Sequence, residues 1–503
     1  MKTLSQIAAE LQGYDPQAMT AGGVQTILSR LVTPVQDALE LPLFEALGRV
    51  LAADVISPFD VPPHDNSAMD GYAFAGKELP PTLVASRTAL PPEGAVPPKG
   101  GLSAELAPTL VTSRTALPPE GAELARGGPA PRSLLPNGAL ELQVVGTALA
   151  GKAWQGSLQP GQCVKIMTGA VMPQGLDTVV PQELVQLNQA GKTAVITIPP
   201  ALLRIGDNRR LRGEDLMQGK AALRKGELLT PARLGLAASL GLKTLKTWRP
   251  LRVAYFSTGD EILSLGEAPR EGAVYDSNRY TVFGMLSRMG CHVIDMGVVR
   301  DDPALLEAAF TEAAGKADAI ITSGGVSVGE ADYTKAMMKK LGDVAFWRIA
   351  MRPGRPMAVG RILSIKSAAS VYKACASSYE NDSNQNGCIL FGLPGNPVAV
   401  MVTFIAFVRP ALLQMMGANP EPTLLLKARS SEALRKKPGR TEYQRCRVST
   451  APDGTLQVKT TGSQGSGVLR SMAEANGLMV LHHAQGGVAV GDDVDVMMFD
   501  GVI

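Results

Sequence analysis

The sequence predicts a multidomain protein of the α/β class. Its 503 residues exceed what one hydrophobic core normally serves, so several domains are expected. From about Leu251, apolar runs that end in small residues alternate with amphipathic stretches, which predicts βαβ units and a mostly parallel sheet. Short strand-like segments dominate the regions before and after this pattern. We therefore expect a β domain on either side of the αβ domain.

The predicted domain boundaries follow these changes of pattern. The first sixty residues predict helix, because apolar residues recur at three- and four-residue spacings from Val24 to Val55, until SPFDVPP ends the pattern. The Pro- and Gly-rich region that follows contains β-branched patches such as LELQVVGTAL, which predict strands. The expected division is a helical and linker domain at 1–58 and 199–248, an inserted β domain at 59–198, an αβ domain at 249–419 and a C-terminal β domain at 420–503.

Two segments break the pattern and are predicted to be loop insertions. TLVASRTALPPEGA at 82–95 recurs with one difference as TLVTSRTALPPEGA at 109–122, within a Pro- and Gly-rich stretch that reaches residue 135. So faithful a repeat indicates duplication within a surface loop. A polar stretch at 364–387 lacks apolar periodicity and separates two strand-like runs. A compact domain tolerates such insertions at its surface.

The composition excludes several classes of function. The chain is 45% hydrophobic and 19% charged, its formal net charge is +3, and it has no Lys/Arg block, so no nucleic-acid partner is expected. Its five cysteines show no CxxC spacing, and its four histidines include one adjacent pair. Neither a zinc site nor a disulfide framework is indicated.

The same sequence predicts a cytoplasmic protein without a membrane span. The first residues, MKTLSQIAAELQGYD, lack the apolar core of a signal peptide. The apolar stretch Val398–Met416 is interrupted by Arg409 and Pro410, so we expect a buried core helix there.

The stretch AIITSGGVSVGEAD, residues 319–332, indicates the kind of ligand. Glycines at a strand end let the main chain approach a ligand and point N–H groups at it, as phosphate-binding loops do. The acidic residues that follow would repel a phosphate unless a cation lies between them. Neither a P-loop nucleotidase nor a nicotinamide site is supported, because the chain lacks GxxxxGK[ST] and GGVSVG is not GxGxxG.

Five loops at apparent strand ends carry the remaining polar residues. They are STGDE (257–261), YDSNR (275–279), SGGVSVGEAD (323–332), MRPGRP (351–356) and LPGNP (393–397). The carboxyl ends of parallel strands meet at one sheet edge, so we expect these loops to converge. Their acids, Asp260, Glu261, Asp276 and Asp332, suit a pyrophosphate-type ligand held through Mg²⁺, a hard cation that prefers oxygen ligands.

Each loop also has a purely structural interpretation. Asp302 and Asn396, each before a proline, can cap the start of a helix. Asp276 can cap the helix after it, and Glu330 and Asp332 can be solvated acids in a first helical turn. The expected convergence of all five loops favours a ligand site.

Several longer motifs occur in order along the chain. They are PPHDNSAMDGYAF, KIMTGAVMPQGLDTVVPQE, RRLRGEDL, FSTGDEI, YDSNRY, ITSGGVSVGEADYTK, MRPGRPMAVG and FGLPGNPVAVMVTF. Together they resemble the molybdopterin molybdenumtransferase family, the bacterial MoeA proteins related to the E domain of gephyrin. The resemblance runs from about Leu31 to the C-terminus and skips the two insertions.

The resemblance implies a fold and an activity. The protein is expected to bind adenylylated molybdopterin, to insert molybdate at its dithiolene with the help of Mg²⁺, and to release AMP and molybdenum cofactor. The family fold implies a helical N-terminal domain, an inserted β domain, a molybdopterin-binding αβ domain and a C-terminal β barrel, assembled as a homodimer. The molybdopterin adenylyltransferase is a further expected partner.

The resemblance also carries site residues over, motif by motif. The implied catalytic residues are Asp65, Thr168, Glu214, Asp260 and Asp276, of which Asp260 and Asp276 are also expected to hold the metal. The residues implied to bind the cofactor are Asn66, Ser67, Ser323, Gly324, Gly325, Ser327, Asp332, Arg352, Pro353, Arg355, Pro356, Pro394 and Asn396. Asp70 lies with Asp65 in a loop expected to close the site across the dimer. That loop can instead be a connector, because turn residues dominate DNSAMDGY.

The loop MRPGRP is the expected molybdate site. Arg352 and Arg355 flank turns stiffened by Pro353 and Pro356, and their charge-assisted bonds suit an oxyanion. Many family members have lysines around these prolines, so arginines keep the charge and change its geometry. The two arginines can instead be surface charges or bind the pterin phosphate.

Two other functions compete with molybdate insertion. A sister enzyme with the same αβ fold adenylylates molybdopterin with ATP, but the DNSAMDGY module favours insertion. A scaffold role like that of gephyrin would need an additional trimerising domain, which this length and motif set do not supply.

Overall fold

The computed structural model describes residues 3–11, 13–79, 134–135, 137–190, 193–326, 333–363 and 387–501. The chain divides into two compact units: unit 1 comprises Met1–Val55 and Ala221–Ile503, and unit 2 comprises Ile56–Lys220. Almost all of the two predicted insertions lies outside the described residues.

The first segment of unit 1 contains short helices and strands. They are α1 (Leu4–Ala9), α2 (Ala21–Leu31), β1 (Ala38–Pro42), a 3₁₀ turn (Leu43–Glu45) and β2 (Val55–Ile56). Each α-helix begins after a threonine, Thr3 or Thr20, whose hydroxyl accepts a backbone N–H of the first turn.

The continuous helix predicted from Val24 to Val55 is wrong. Helix α2 ends at Leu31, because Pro34 disfavours the helical conformation of the residue before it and cannot donate a helical hydrogen bond. Beyond it, β1 pairs antiparallel with Thr244–Trp248, a strand far away in the sequence. A helical N-terminal domain is therefore not confirmed.

Unit 2 is built around a six-stranded sheet. Its elements are β3 (Asn66–Ser67), β4 (Gly71–Phe74), a 3₁₀ turn (Gly76–Glu78), β5 (Leu140–Ala148), β6 (Gln162–Ile166), β7 (Thr178–Pro181), a 3₁₀ turn (Gln182–Leu184), β8 (Gln186–Ala190), β9 (Thr193–Ile198) and β10 (Arg209–Arg210). The strand order is β7-β4-β6-β5-β9-β8, and β3 pairs with β10 separately. Successive residues of β4, Ala73 and Phe74, enter apolar clusters on opposite faces of this sheet.

The chain returns to unit 1 and forms its αβ part. The elements are β11 (Ala221–Leu223), α3 (Pro231–Ser239), β12 (Thr244–Trp248), β13 (Arg252–Thr258), β14 (Ile262–Leu263), β15 (Val274–Tyr275), α4 (Ser277–Arg288), β16 (His292–Val299), α5 (Pro303–Lys316), β17 (Ala319–Ser323), α6 (Tyr333–Leu341), β18 (Gly342–Arg348), β19 (Met351–Arg352), β20 (Pro356–Ile362), β21 (Cys388–Leu393), α7 (Pro397–Thr403), a π-helical turn (Phe404–Val408) and α8 (Arg409–Met415). As predicted, Asp302 caps α5 before Pro303.

The main sheet of the αβ part is mixed. Its order is β16-β13-β17-β21-β20-β18, and the first four strands are parallel neighbours. Strand β20 runs antiparallel to both β21 and β18. The predicted βαβ units are confirmed in the parallel part, where α4 and α5 connect β13, β16 and β17.

The apolar segment Pro397–Met415 is a core helix. Among the described helices it is the one long and apolar enough to cross a membrane, and 72% of its most apolar part is buried in the protein, which confirms the predicted core helix. Pro410 has no N–H, so the carbonyl of Ala406 lacks its helical donor. The Gln25 side chain of α2 donates to that carbonyl instead, at 3.2 Å. The π-helical turn lies at this interruption.

The C-terminal part of unit 1 is a β barrel. It comprises β22 (Leu426–Ser430), β23 (Thr441–Thr450), β24 (Leu456–Thr460), α9 (Arg470–Ala473), β25 (Gly477–Leu481) and β26 (Asp493–Met498). The strands pair in the closed ring β23-β24-β22-β26-β25-β23, which confirms the predicted barrel. Strand β19 pairs in parallel with β23, so MRPGRP is joined directly to the barrel.

Candidate functional site

Four of the five predicted loops begin at one edge of the main sheet. Strands β13, β17 and β21 are parallel, and β18 points the same way because it and β21 both pair antiparallel with β20. STGDE, SGGVSVGEAD, LPGNP and MRPGRP follow these four strands. The fifth loop, YDSNR, follows β15, which pairs with β14 in a separate ribbon.

The glycine pair after β17 is required by close packing. Gly324 and Gly325 have φ of +97° and +63°. A Cβ on Gly324 would lie 2.4 Å from the carbonyl oxygen of Thr258, and one on Gly325 would lie 2.5 Å from Cβ of Thr334. The Gly324 N–H donates to the carbonyl of Leu393 at 3.1 Å, so it is not available to a phosphate. Gly324 thus lets two main chains approach each other and Gly325 lies against the Thr334 side chain, so both glycines have a packing role that the motif alone does not indicate.

Asp276 combines a capping role with an oxygen that has no partner. It is the N-cap of α4, and its Oδ1 accepts the N–H of Arg279 at 3.0 Å, which confirms the capping interpretation. Its Oδ2 is buried and accepts no hydrogen bond, and the residue is 4% exposed. An unpaired buried carboxylate oxygen is costly. A cation, a water or a ligand donor bound at this atom would satisfy it.

A hydrogen-bond chain links YDSNR, LPGNP and the barrel. Asn278 Nδ2 donates to the carbonyl of Gly395 at 2.7 Å, while Asn278 Oδ1 is buried without a partner. Asn396 occupies the N-cap position of α7 but makes no side-chain capping bond there. Its Nδ2 donates to Ser466 Oγ of the barrel at 3.0 Å, and the carbonyl of Ser466 accepts the Val398 N–H at 3.1 Å. A barrel loop thus caps α7.

Three buried hydroxyls lie where β13 and β17 approach the loops. The oxygen of Tyr255 lies 2.7 Å from that of Ser323 and 2.9 Å from that of Ser257, and the two serine oxygens are 3.1 Å apart. Burial raises the pKa of the Tyr255 phenol well above its usual value. The phenol therefore keeps its proton.

An ion pair attaches the start of α4 to the sheet. Arg279 donates to both carboxylate oxygens of Asp295 on β16, through Nε at 2.8 Å and Nη2 at 2.7 Å. Burial opposes ionisation of Asp295, but the hydrogen bonds from Arg279 and from the Gly297 N–H, together with the charge of Arg279, outweigh it and hold its pKa below the ordinary value. The pair fixes the turn that carries Asp276.

MRPGRP concentrates positive charge beside the barrel. Arg352 and Arg355 are exposed, Pro353 is buried, and Pro356 begins β20. The neighbouring Arg445 is buried, and its pKa is lowered to about 10 by burial and, to a smaller extent, by the charge of Arg352. Like charges held close together are the electrostatic setting in which an anion binds.

The two predicted metal ligands lie toward opposite ends of the β14–β15 ribbon. Its strands run parallel, with Asp260 before the first and Asp276 after the second. Asp260 is exposed, and its Oδ1 accepts the N–H of Asp301 at 3.4 Å. The described residues contain no group of three or more His, Cys, Asp or Glu side chains that could hold a metal ion. Mg²⁺ often binds through one or two carboxylates plus substrate phosphates and waters, so the free oxygen of Asp276 fits it without such a group.

The predicted residues of unit 2 lie in one loop cluster, formed by the DNSAMD, MTGA and RRLRGED segments. Asp65 Oδ1 accepts the N–H of Arg212 at 2.8 Å, and its Oδ2 lies 3.6 Å from Nη1 of Arg209. Asn66 and Ser67 form β3, which pairs with β10. Asn66 Oδ1 is buried without a partner.

The other acids of this cluster hold backbone turns. Asp70 Oδ1 accepts both the N–H and the hydroxyl of Thr168, at 2.6 and 2.8 Å, and these bonds lower the pKa of Asp70. Glu214 Oε2 accepts the N–H of Leu211 at 2.9 Å. The carbonyl of Ser67 accepts the Gly169 N–H at 2.8 Å. The structure thus brings Asp65, Asn66, Ser67, Thr168 and Glu214 together, as the motifs implied.

Some predicted residues are not placed, and other polar residues were missed. Ser327 and Asp332 lie outside the described residues. Sequence reasoning did not single out Tyr255, Asn278 or Ser466. Polar residues two apart in the apolar strand β13 share one face, which was a usable signal for Tyr255. Ser466 has no local signal, because its contacts arise from tertiary packing.

Known proteins resemble the chain over almost its whole length. Residues 20–241 match the MoeA N-terminal region (domains I and II), 254–414 a probable molybdopterin binding domain, and 427–499 the MoeA C-terminal region (domain IV). A molybdopterin molybdenumtransferase of Haemophilus influenzae is 34% identical, and the alignment covers 95% of this chain and 97% of that one. One from a Nostoc species is 31% identical over 92% of this chain and 89% of its own length.

Solved structures agree with the fold. A molybdopterin biosynthesis MoeA protein from Pyrococcus horikoshii matches with a TM-score of 0.67 and 22% identity, covering 96% of this chain and all of that one. A second structure under the same protein name and species gives a TM-score of 0.61 at 24% identity, covering 96% and 99%.

Proposed function

Because this chain belongs to the molybdopterin molybdenumtransferase family, whose members are transferases of molybdenum cofactor biosynthesis, we propose that it inserts molybdate into adenylylated molybdopterin and releases AMP. The observation that carries the proposal is the buried, unpartnered Oδ2 of Asp276, in the turn that the Asn278–Gly395 hydrogen bond joins to LPGNP. The helix cap uses Oδ1 alone, so Oδ2 is free to contact a ligand.

The αβ loops bind the phosphates of the substrate in this proposal. Ser323 supplies a hydroxyl at the end of β17, and the Gly324–Gly325 turn leaves no side chain in the way. Asn278 offers a second free oxygen, Oδ1, next to LPGNP. Pro394 is buried and shapes that loop, and Asn396 is held by Ser466.

Asp276 is the proposed direct ligand of Mg²⁺. Asp260 lies toward the opposite end of the β14–β15 ribbon, so it is proposed to act on the same metal through a water or a substrate phosphate. When bound, Mg²⁺ would neutralise charge on the pyrophosphate of the substrate. The chain's own residues hold the Asp276 carboxylate in position. The Arg279–Asp295 ion pair keeps the Asp276 turn in place, and the burial of Asp276 excludes bulk water from its free oxygen.

Arg352 and Arg355 are the proposed molybdate-binding residues, with Pro353 and Pro356 restricting the loop. A guanidinium presents paired donors to an oxyanion, and each charge-assisted bond contributes about 1.5–3 kcal/mol. The buried charge of Arg445 adds to the positive potential at this loop.

In this proposal, the loop cluster of unit 2 offers one buried oxygen without a partner, Oδ1 of Asn66, and several turns that are held by hydrogen bonds. Asp65, Thr168 and Glu214 hold turns in their present hydrogen bonds, and they are proposed to keep the cluster in its active shape. Asn66 Oδ1 is buried without a partner and is the proposed ligand contact of this cluster, next to Ser67.

A homodimer, a cytoplasmic location and transfer of substrate from the molybdopterin adenylyltransferase belong to the same proposal and rest on the resemblance. Phe44 is fully exposed and Leu47 is 53% exposed in the turn after β1, an apolar surface that suits a second copy. Sedimentation of the wild-type protein and of Phe44→Asp tests the dimer. We expect a dimer that Phe44→Asp weakens, and a wild-type monomer would contradict it.

Release of AMP tests the activity directly. Purified protein is mixed with adenylylated molybdopterin, with and without molybdate and with and without a Mg²⁺ chelator. We expect AMP release that requires both molybdate and Mg²⁺. Formation of pyrophosphate from ATP and molybdopterin, without molybdate-dependent AMP release, would assign the chain to adenylylation instead.

A further inference from the structure

The function proposed above uses Ser323 and leaves Tyr255 without a role. Tyr255 is 1% exposed, and its neighbours on the same face of the sheet, Val253 and Ile321, are apolar core residues. A phenylalanine would fill this space without a polar atom to satisfy. The Tyr255 hydroxyl instead contacts two serine hydroxyls, one of which directly precedes the Gly324–Gly325 turn.

The chemistry of the three hydroxyls gives their hydrogen bonds a direction. Each hydroxyl donates one proton and can accept two. A phenol is a stronger acid than an alcohol, which favours Tyr255 as the donor, and its shortest contact, 2.7 Å, is with Ser323. With Tyr255 donating to it, Ser323 has one acceptor site filled, and its own proton can go to Ser257 Oγ at 3.1 Å or to a ligand.

Water does not compete for this arrangement, because Ser323 is only 3% exposed. The charge of Asp276 also acts on Tyr255, where it adds to burial in raising the phenol pKa. The start of α4 and the end of β17 are both joined to the LPGNP loop, because Asn278 donates to the carbonyl of Gly395 and Gly324 donates to that of Leu393. This loop connects the hydroxyl cluster to the turn that carries Asp276.

We infer that Tyr255 is a positioning residue for substrate binding: by donating to Ser323, it directs the Ser323 O–H toward the ligand side of the glycine turn, where it donates to a phosphate oxygen. This inference rests on the proposed function. The phosphate group is that of AMP or of the pterin, which present the same oxygens to a hydroxyl donor.

A double-mutant cycle tests this role. Dissociation constants of AMP, molybdopterin and adenylylated molybdopterin are measured for wild type, Tyr255→Phe, Ser323→Ala and the double variant. We expect Tyr255→Phe to weaken binding of at least one ligand about fivefold, the loss of one oriented hydrogen bond. In the Ser323→Ala background the same change is expected to have no further effect, because Tyr255 acts through Ser323.

Tyr14→Phe is the matched control. The Tyr14 hydroxyl accepts a hydrogen bond from Trp347 Nε1 at 3.2 Å and lies outside the hydroxyl cluster. Its removal is expected to leave all three affinities unchanged. Thermal unfolding of each variant separates a loss of folded protein from a loss of affinity.

Each outcome of the cycle decides the inference. A loss confined to AMP supports it and assigns the contact to the adenylate phosphate, and a loss for molybdopterin supports it and assigns the pterin phosphate. Unchanged affinities in Tyr255→Phe overturn it, as does a fivefold loss that persists in the Ser323→Ala background. Wild-type protein that binds none of the three ligands would overturn the proposed function and this inference with it.

Discussion

In the loop cluster of unit 2, Asp70 and Glu214 are exposed, and one carboxylate oxygen of each accepts a backbone N–H of a neighbouring turn, whereas Asp276 of the αβ part is buried and only one of its two oxygens has a partner, the N–H of Arg279. All three acids belong to motifs that imply a site. In the proposal, Asp70 and Glu214 shape a loop, and Asp276 keeps a buried oxygen for a ligand. Burial of the second oxygen distinguishes the two roles.

Asp318 extends the comparison within unit 1. Its carboxylate accepts two hydrogen bonds from the Arg249 fork, at 2.6 and 2.9 Å, and others from Arg252, so it is fully engaged by protein groups. It precedes β17, at the end of that strand opposite to the Gly324–Gly325 turn. Asp318 is therefore expected to contribute to stability and Asp276 to activity.

Asp276→Asn should have the largest effect on turnover. Asparagine still caps α4 through its side-chain oxygen, so the unfolding temperature should change little. Loss of the charged oxygen should lower AMP release by about 10²-fold, as the removal of a preorganised electrostatic contact does. Asp302→Asn is the matched control, because Asp302 caps α5 in the same way outside the site. Full turnover by Asp276→Asn would remove the distinction between the two kinds of acid.

Asp318→Asn should have the opposite profile. Breaking the ion pair leaves the guanidinium of Arg249, mostly buried, with fewer partners and should cost about 3 kcal/mol of unfolding free energy. AMP release per folded molecule should stay at the wild-type level. Urea unfolding followed by circular dichroism measures the first quantity, and the assay of the folded fraction measures the second. Unchanged stability would show that this engaged carboxylate is not structural.

The pH dependence of stability sharpens the same comparison. Burial opposes ionisation of Asp318, but hydrogen bonds from Arg249 and Arg252 outweigh it, so the folded-state pKa lies below 3.8. Its contribution is therefore fully present above the unfolded value and is lost as the pH falls through the folded pKa. Wild-type stability should decline below about pH 4. Asp318→Asn should lack this part of the decline, and identical pH profiles would contradict the assignment.

Arg355→Ala should have a smaller effect that is confined to molybdate. The molybdate concentration for half-maximal AMP release should rise about tenfold, which corresponds to about 1.4 kcal/mol of binding. Affinity for adenylylated molybdopterin should be nearly unchanged. Arg355→Lys keeps the charge without the paired donors. We expect its half-maximal molybdate concentration to lie between those of the wild type and Arg355→Ala. A fall in pterin affinity alone would assign Arg355 to the phosphate.

Asp70→Ala should have the smallest effect on turnover and a local effect on structure. Without the carboxylate, the N–H of Thr168 loses its acceptor, so its hydrogen exchange should become faster. Asp70→Asn keeps an acceptor oxygen and should exchange more slowly than Asp70→Ala. A loss of turnover as large as that of Asp276→Asn would place Asp70 among the ligand-contacting residues.

The sequence was most informative where the structure depends on local pattern. The apolar runs from Leu251 onward predicted the βαβ units, and the ordered motifs predicted the family, which relatives at 31–34% identity confirm. The helix predicted over Val24–Val55 failed beyond Leu31, because leucines around Leu39 fit both periodicities and the partner strand Thr244–Trp248 is remote in sequence. Non-local pairing leaves little trace in a local pattern.

The site shows the same division. The motifs located Asp276 and the glycine turn. They could not reveal that the Gly324 N–H donates to the carbonyl of Leu393, or that Oδ2 of Asp276 has no hydrogen-bond partner. Both facts depend on which strands and helices pack together. Ser466 enters the site only because the barrel contacts α7, and no stretch of sequence near LPGNP indicates it.

A crystal structure of the protein with adenylylated molybdopterin and Mg²⁺ would show whether Asp276 binds the metal. The quantity to measure is the distance from Oδ2 of Asp276 to the nearest ligand, metal or metal-bound water. We predict direct coordination of Mg²⁺ at about 2.1 Å, or a hydrogen bond to one of its waters. A complex in which that oxygen contacts only protein, while the pyrophosphate and the metal are bound elsewhere, would contradict the account.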